Sequence, residues 1–441
     1  MRKALLLPAI LFIANLSYAQ LGGLLNRAKD RAKQKAEQKM NQKIDNAVDS
    51  ALDGKKKSKS VKGTKDGNAS GEENIATNEL NTEAKFGSAS FKTYSKFDFV
   101  PGEKIIAWED FAQDAIGDFP DKWNTNGTGE IQNIEGKPGK WLSVAKEAVL
   151  LPEFITALPE NFTMEYDVVC NPEFSFYSSA FFCAFVAAKD PGKEFTDWGT
   201  DKNGPWDTKT GGVRIWVHPE AAGGNVGHAG YATYEATQVN LRNEDNTTQF
   251  FNKTKNTVHV AIWRQKTRLR VYLNEEKIFD VPRAFNASAN YNTVIFSRSG
   301  SWRPGDRYLF GNIKLAVGAP DTRNKLITEG KFVTHGILFD VNSDKIKPES
   351  YGALKDIANV LNENTGVKVK IIGHTDADGD DKANMELSLK RANAVKAVLE
   401  KEFGIDAARM STEGKGASQP VDKNDNAVGK ANNRRVEFVK Q

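Results

Sequence analysis

The stretch Gly373-His374-Thr375-Asp376-Ala377-Asp378-Gly379 follows a strand-like run and leads into a long helical pattern that contains Arg391. This order puts a carboxylate on a loop and a guanidinium on the helix that follows it. An aspartate and an arginine held close together can clamp a zwitterion, because the carboxylate accepts from an ammonium group and the guanidinium binds a carboxylate through paired, charge-assisted hydrogen bonds. The stretch therefore predicts a small α/β domain with a charged binding cleft.

The residues around this stretch predict alternating strands and helices. Hydrophobic patterning indicates strands at 336–339, 367–372, 410–413 and 435–439, a helix that begins near Pro348, and a longer helix over about 382–403. Residues 423–430 read as an ordinary loop. The order predicts a βαβαββ α/β sandwich over residues 325–441.

Further motifs accompany the Thr375-Asp376 pair. They are Asn384, Leu387-Ser388 with Lys390-Arg391-Ala392, Phe339-Asp340-Val341-Asn342-Ser343 and Asn433-Arg434-Arg435-Val436. Together with the loop, they resemble the peptidoglycan-binding domain of the OmpA family from about residue 330 to the C-terminus.

The resemblance implies that this domain binds the free amino-acid end of diaminopimelate in bacterial cell-wall peptide. It implies the following ligand-binding residues: Asp376, Arg391, Asn384, Thr375, Asp340, Asn342, Leu387 and Arg435. Asp376 and Arg391 form the clamp, and Asp340 and Asn342 line the rim of the pocket. For Arg435, a buttressing ion pair is the alternative to ligand contact. Taken alone, Asp376 could be a turn or N-cap carboxylate and Arg391 a surface helix charge.

The N-terminal region has the pattern of an exported protein. Residues 1–19 carry a basic start, an apolar run and Ser17-Tyr18-Ala19 before the predicted cleavage site, and we expect a signal peptide without a lipoprotein cysteine. Residues 20–53 predict a basic amphipathic helix with an alanine-rich stripe. A weak coiled coil, a membrane-surface helix and a solvated helix are all compatible with that stripe. Residues 54–96 are polar and predict a disordered linker.

Residues 97–320 read as β structure. The runs 163–169, 180–186, 213–217, 258–264, 269–273 and 313–317 have the length and composition of strands. Val258, Val260 and Ile262 alternate on one face, and Gln265-Lys266-Thr267 connects their run to the next. The pattern predicts an all-β jelly-roll sandwich. A transmembrane barrel is the alternative, although the runs are shorter than the nine to eleven residues that a tilted membrane strand needs.

The hairpin at 258–274 also resembles the concanavalin A-like (laminin G-like) sandwich family. Trp198 and Trp206 lie in a glycine- and aspartate-rich loop, where they either close the end of the sandwich or stack on a glycan. Cys170 and Cys183 are the two cysteines of the chain, on consecutive strand-like runs. An exported protein permits a disulfide across a hairpin, and two buried thiols are the alternative.

Several other signals lead to no site. Counted from Asp376, the glycine and glutamate positions of a calcium-binding EF-hand loop hold Asp381 and Leu387. The five histidines show no spacing typical of zinc, and no nucleophile with a triad pattern accompanies His374. We therefore expect no cofactor, no metal, no enzymatic activity and no nucleic-acid partner.

These features predict a multi-domain, non-enzymatic tether on the periplasmic side of the outer membrane. Its C-terminal domain would bind diaminopimelate-type peptidoglycan, while the N-terminal helix would reach the outer membrane or an envelope protein. The alternative is a carbohydrate-binding or glycan-processing protein whose β-sandwich is the active module. A structural assembly component joined through the N-terminal helix is a third hypothesis.

Overall fold

The computed structural model describes residues 97–198, 211–235, 238–298, 300, 303–318 and 321–441. The predicted signal peptide, amphipathic helix and linker lie outside the described residues, as do Trp206 and the side chain of Trp198. The described part contains a large β-sandwich followed by a small α/β domain.

The sandwich consists of two antiparallel sheets, and its strands are bounded as follows. They are β1 (Lys104–Glu109), β2 (Trp123–Thr125), β3 (Glu130–Ile134), β4 (Lys137–Val144), β5 (Ala148–Pro152), β6 (Asn161–Cys170), β7 (Phe181–Val186), β8 (Gly212–His218), β9 (Gly227–Glu235), β10 (Gln238–Thr247), β11 (Thr257–Gln265), β12 (Arg268–Leu273), β13 (Glu276–Val281), β14 (Thr293–Arg298) and β15 (Tyr308–Val317). Between β7 and β8 lie a one-turn helix, α1 (Pro191–Glu194), and a 3-10 turn (Phe195–Trp198).

The first sheet has the order β13-β12-β11-β6-β15-β4-β3, with β1 paired to β15. The second has the order β10-β9-β8-β7-β14-β5-β2. Alternation explains the core: Val258, Val260 and Ile262 of β11 face the other sheet, whereas Ala261 and Trp263 face outward. The prediction of mainly β structure in this region is confirmed.

The two cysteines are buried free thiols in the core between the sheets. Cys170 ends β6 in the first sheet, and Cys183 lies on β7 in the second. The predicted hairpin between these two runs is therefore wrong, because the chain crosses from one sheet to the other. Burial raises the pKa of both thiols, which keeps them protonated.

The C-terminal domain has helices on a four-stranded sheet. Its elements are β16 (Lys331–Thr334), α2 (Tyr351–Glu363), β17 (Val369–Gly373), α3 (Asp381–Lys401), β18 (Met410–Gly414), α4 (Ala427–Asn433) and β19 (Val436–Lys440). Short turns of helix cover Asn324–Thr328, Pro348–Ser350 and Ala407–Arg409. The sheet order is β16-β19-β17-β18, in which β17 and β18 are parallel. None of the described helices is long and apolar enough to cross a membrane.

Two parts of the predicted βαβαββ order are wrong. The first strand is Lys331–Thr334, which pairs with β19, and not 336–339. Residues 338–340 pair only locally, with the turn at 345–347 through one isolated bridge and with Ser350 Oγ, which binds both the N–H and the C=O of Leu338. The predicted loop at 423–430 contains the start of α4, which Asn426 caps by accepting from the N–H of Gly429. The observed order is therefore βαβαβαβ.

The segment before β1 lies between the sandwich and the C-terminal domain. Phe97 and Phe99 pack on Trp263 and Tyr272, on the outer face of the first sheet. A Cβ on Gly352 at the start of α2 would lie 2.0 Å from the carbonyl oxygen of Phe99. This glycine therefore permits the close approach of α2 to the segment.

Candidate functional site

The loop that carries Asp376 begins where β17 meets α3. A Cβ on Gly373 would lie 2.1 Å from the carbonyl oxygen of Ser388, so the glycine allows the strand end to touch the helix. Two residues further on, Thr375 donates from its backbone N–H to the carbonyl of Gly416 at 3.0 Å. These contacts fix the start of the loop against α3 and against the loop after β18.

The Asp376 carboxylate is largely buried, with 13% of its side chain exposed. Its Oδ1 accepts from the backbone N–H of Asp378 at 3.2 Å, which is a local turn contact. Its Oδ2 accepts from Nη1 of Arg434 at 2.5 Å. The carboxylate is thus held in place by the loop and by a charge-assisted hydrogen bond.

Arg391 lies half-buried on α3, with one edge of its guanidinium fixed. Its Nε donates to the carbonyl oxygen of Ser343 at 3.0 Å, and its guanidinium carbon lies 4.9 Å from the ring centroid of Phe339. Among the described residues, the two Nη atoms have no hydrogen-bond partner. An anchored guanidinium with both Nη atoms available is suited to binding a carboxylate in a paired geometry.

The charges of Arg391 and Asp376 interact electrostatically. Burial lowers the pKa of Arg391 from its ordinary value, and the positive charge of Arg434 lowers it further, while the carboxylates of Asp376 and Asp344 oppose the shift. The structure therefore brings the predicted pair into one charged cluster. The hydrogen-bonded partner of Asp376, however, is Arg434 and not Arg391.

Arg434 is the functional candidate that sequence reasoning missed. It directly follows α4, and its guanidinium carbon lies 5.3 Å from the ring centroid of Trp108 in the sandwich. A signal was available in the Asn-Arg-Arg motif. Arg435 immediately precedes β19 and is two residues from Glu437, so an extended backbone puts both side chains on the same face and indicates Arg435 as the partner of Glu437.

Arg435 lies in a buried ion pair. Its Nε donates to Oε1 of Glu437 at 2.8 Å, and its Nη2 donates to the carbonyl oxygen of Gln419 at 3.0 Å. Burial alone would raise the pKa of Glu437, but the nearby His374 and the ion pairs with Lys331 and Arg435 outweigh it and hold that pKa far below the ordinary value. The structure thus gives Arg435 the buttressing contacts that the sequence left open as its alternative.

Two of the predicted polar residues hold the loop in shape. Thr375 Oγ1 donates to the backbone carbonyl of Asp376 at 2.8 Å, and the buried Asn384 donates from Nδ2 to the carbonyl of Asp378 at 2.9 Å. Leu387 lies half-buried on α3. Thr375 and Asn384 therefore contact the backbone of the clamp loop itself.

The predicted rim residues belong to a short turn that Arg391 contacts. Asp340 pairs with Lys345 at 3.5 Å, and Asn342 is exposed with a positive φ of 53°, a conformation that asparagine tolerates better than most residues. The hydrogen bond from Arg391 to Ser343 links this turn to α3. The rim thus stands next to the guanidinium of the predicted clamp.

The remaining carboxylates of the loop have partners of their own. Asp378 pairs with Lys430 at 2.8 Å, and Asp380 caps α3 by accepting from the N–H of Ala383 at 3.0 Å. In the part of the chain that the structure describes, no group of three or more His, Cys, Asp or Glu side chains is arranged to hold a metal ion.

The fold defines the C-terminal part as a small α/β domain that carries a cluster of charged side chains at the end of β17. Residues 338–434 match the model of the OmpA family. This part of the chain is therefore an OmpA family domain, and the resemblance carried by its motifs is confirmed.

Individual relatives cover only part of the chain. Outer membrane porin F of Pseudomonas aeruginosa is 41% identical over 101 residues, which is 23% of this chain and 29% of that protein. Outer membrane protein Omp38 of Acinetobacter baumannii is 39% identical over 180 residues, 40% of this chain and 49% of the relative. The crystal structure of the peptidoglycan-associated lipoprotein from Burkholderia pseudomallei is 26% identical, covers 27% of this chain and 98% of that chain, and has a TM-score of 0.24. The chain thus spans less than half the length of the two curated relatives.

Proposed function

We propose that this protein is a non-enzymatic anchor that binds the diaminopimelate of peptidoglycan at the cluster of Asp376, Arg391 and Arg434. The observation that carries the proposal is the geometry of this cluster, in an OmpA family domain. It combines one largely buried carboxylate with two guanidinium groups near the end of β17. A ligand that carries both an ammonium group and a carboxylate matches that set of charges.

Each half of the zwitterion has a counterpart in the cluster. The ligand carboxylate would bind the two Nη atoms of Arg391, whose Nε is already held by Ser343. The ligand ammonium would bind the Asp376 carboxylate, which keeps acceptor capacity beyond the bonds from Asp378 and Arg434, since an ionised carboxylate offers about four lone-pair sites. Arg434 would neutralise part of the charge of Asp376 and add a second positive group beside the ligand carboxylate.

The other predicted site residues would support this clamp. Thr375 and Asn384 hold the backbone on which Asp376 sits, and Leu387 would contribute an apolar side wall. Asp340 and Asn342 would line the rim, where Ser343 contacts Arg391. We assign Arg435 to the support of β19 through Glu437 and not to the ligand.

The proposed clamp discriminates between two classes of cell wall. A wall with lysine in place of diaminopimelate lacks the distal carboxylate. Binding of lysine would leave the half-buried Arg391 desolvated without its carboxylate partner, at a cost of about 1–3 kcal/mol.

We place the protein on the periplasmic side of the outer membrane. This proposal is supported by the export signal predicted at residues 1–19 and by the names of the two relatives, both outer membrane proteins. The basic helix predicted at 20–53 would reach the membrane or an envelope partner. The jelly-roll and concanavalin A-like assignment of the sandwich, and a glycan partner for it, remain predictions.

The proposal is tested by co-sedimentation of the full chain with purified sacculi of a diaminopimelate-type wall. Asp376→Ala and Arg391→Ala should each abolish most of the co-sedimentation, because each removes the partner of one ligand charge. Circular dichroism should show that both variants remain folded.

Lys390→Ala is the matched control for Arg391→Ala. Lys390 is the neighbouring cation on α3, highly exposed, with its Nζ 3.8 Å from Glu386. This variant should co-sediment like the parent protein. Unchanged co-sedimentation of Arg391→Ala or Asp376→Ala would show that the clamp is assigned to the wrong residues.

A further inference from the structure

The guanidinium of Arg434 is contacted by two different parts of the protein. Its Nη1 donates to Asp376 in the OmpA family domain, and its guanidinium carbon lies 5.3 Å from the ring of Trp108 on β1 of the sandwich. The indole Nε1 of Trp108 in turn donates to Oδ2 of Asp110 at 3.2 Å. The aromatic ring that meets Arg434 is thus itself oriented by a hydrogen bond.

The backbone near Trp108 and Arg434 is also held by contacts between the sandwich and the OmpA family domain. The side-chain amide of Asn432 accepts from the N–H of Ile105 and donates to its C=O, both at 3.0 Å. Ile105, Ala316 of the sandwich and Ala431 of α4 form a buried apolar cluster, against which Trp108 packs. β1 therefore holds the end of α4, from which Arg434 projects.

These contacts restrict where the Arg434 charge can be. An arginine side chain loses conformational freedom when it is fixed, so a guanidinium that already contacts an aromatic ring needs less further ordering to bind a second group. Trp108 favours the position in which Arg434 also contacts Asp376. The sandwich thereby influences the charge beside the clamp carboxylate.

We propose that the diaminopimelate site is composite and that Trp108 of the sandwich is a positioning residue for Arg434. The inference rests on the proposed function, since the ligand is the one assigned above to Asp376 and Arg391. Trp108 acts through Arg434 and not by direct contact with the ligand. The sandwich is then a part of the wall-binding unit and not a separate module on a tether.

The test measures binding of a soluble stem tripeptide that ends in diaminopimelate to the full chain. Trp108→Leu keeps an apolar side chain in the Ile105 cluster but removes the π face, and it should weaken binding about 5- to 30-fold. Trp108→Phe keeps a ring over Arg434 and should stay within about threefold of the parent protein. In an Arg434→Ala background, Trp108→Leu should produce no further loss.

The control is Tyr177→Leu, which removes another aromatic ring in contact with a cation. The ring centroid of Tyr177 lies 4.5 Å from the guanidinium carbon of Arg303, and both residues belong to the sandwich. Tyr177→Leu should leave tripeptide binding unchanged. Equal losses in Tyr177→Leu and Trp108→Leu would overturn the inference, because they would indicate a general effect of weakening the sandwich.

Two other results would also overturn the inference. One is parent-like binding by Trp108→Leu, and the other is the same fold loss from this variant with or without Arg434. Arg391→Ala, measured in parallel, separates the two proposals. If Arg391→Ala loses binding and Trp108→Leu does not, the proposed function is supported and the composite site is contradicted. Parent-like binding by Arg391→Ala would contradict both the proposed function and the composite site.

Discussion

The two adjacent arginines before β19 have different partners, although they are only one residue apart. Arg435 contacts Glu437 inside the domain, whereas Arg434 contacts Asp376 in the charged cluster. The strand periodicity of the sequence is sufficient to pair Arg435 with Glu437. It is not sufficient to bring Arg434 to Asp376, because that contact joins a helix end to a loop 58 residues earlier in the chain.

The buried pair of Arg435 and Glu437 should be important for stability. Arg435→Ala would leave the Glu437 carboxylate buried with fewer partners, and we expect the free energy of unfolding to fall by about 3–5 kcal/mol. Urea unfolding of the full chain measures this change. Arg323→Ala is the control, because its pair with Glu363 is exposed and should contribute about 1 kcal/mol or less. Similar effects of both substitutions would contradict the role of burial.

At the scale of elements, the sequence predicts best the elements with a clear periodicity. Short strands that are buried on both faces, such as β5 and β14, are missing from the prediction because they show no alternation. The alternation of β11 and the long helical pattern of α3 are both found in the structure. β10 was not predicted, because almost all of its side chains are exposed and it carries no apolar alternation. α4 was not predicted because its seven residues are too few to show a helical period.

The junction of β17 and α3 should be intolerant of any side chain at Gly373. A methyl group there would approach the Ser388 carbonyl oxygen to 2.1 Å, so Gly373→Ala must push α3 away from the strand. We expect a loss of about 1–3 kcal/mol or more in the free energy of unfolding and a loss of sacculus binding, because Asp376 and Arg391 sit on the two displaced elements. Thermal unfolding and co-sedimentation measure the two effects.

Gly366→Ala is the matched control in the same domain. A Cβ at Gly366 would meet no atom within 4 Å, and the residue has no positive φ. This substitution should change the free energy of unfolding by no more than about 1 kcal/mol and leave binding intact. If Gly373→Ala behaves in the same way, the close contact does not determine the geometry of the site.

At the scale of the whole molecule, the sequence predicts the kinds of domain but not their contact. The hydrogen bonds between Ile105 and Asn432 join residues 327 positions apart, and no local pattern marks either residue as a partner. The contact between Trp108 and Arg434 could not be predicted either, because a half-buried tryptophan on a short strand has no sequence pattern that indicates its partner. In the structure, these contacts join the sandwich to the OmpA family domain beside the candidate site.

Selective binding of diaminopimelate can be measured by calorimetry with two stem tripeptides and the full chain. One tripeptide ends in diaminopimelate, and the other carries lysine in its place. We expect saturable, one-site binding of the first and an affinity about 5- to 150-fold lower for the second, since the missing carboxylate leaves Arg391 unpaired. Equal affinities for the two peptides, or no binding of either by the folded chain, would contradict the proposed clamp.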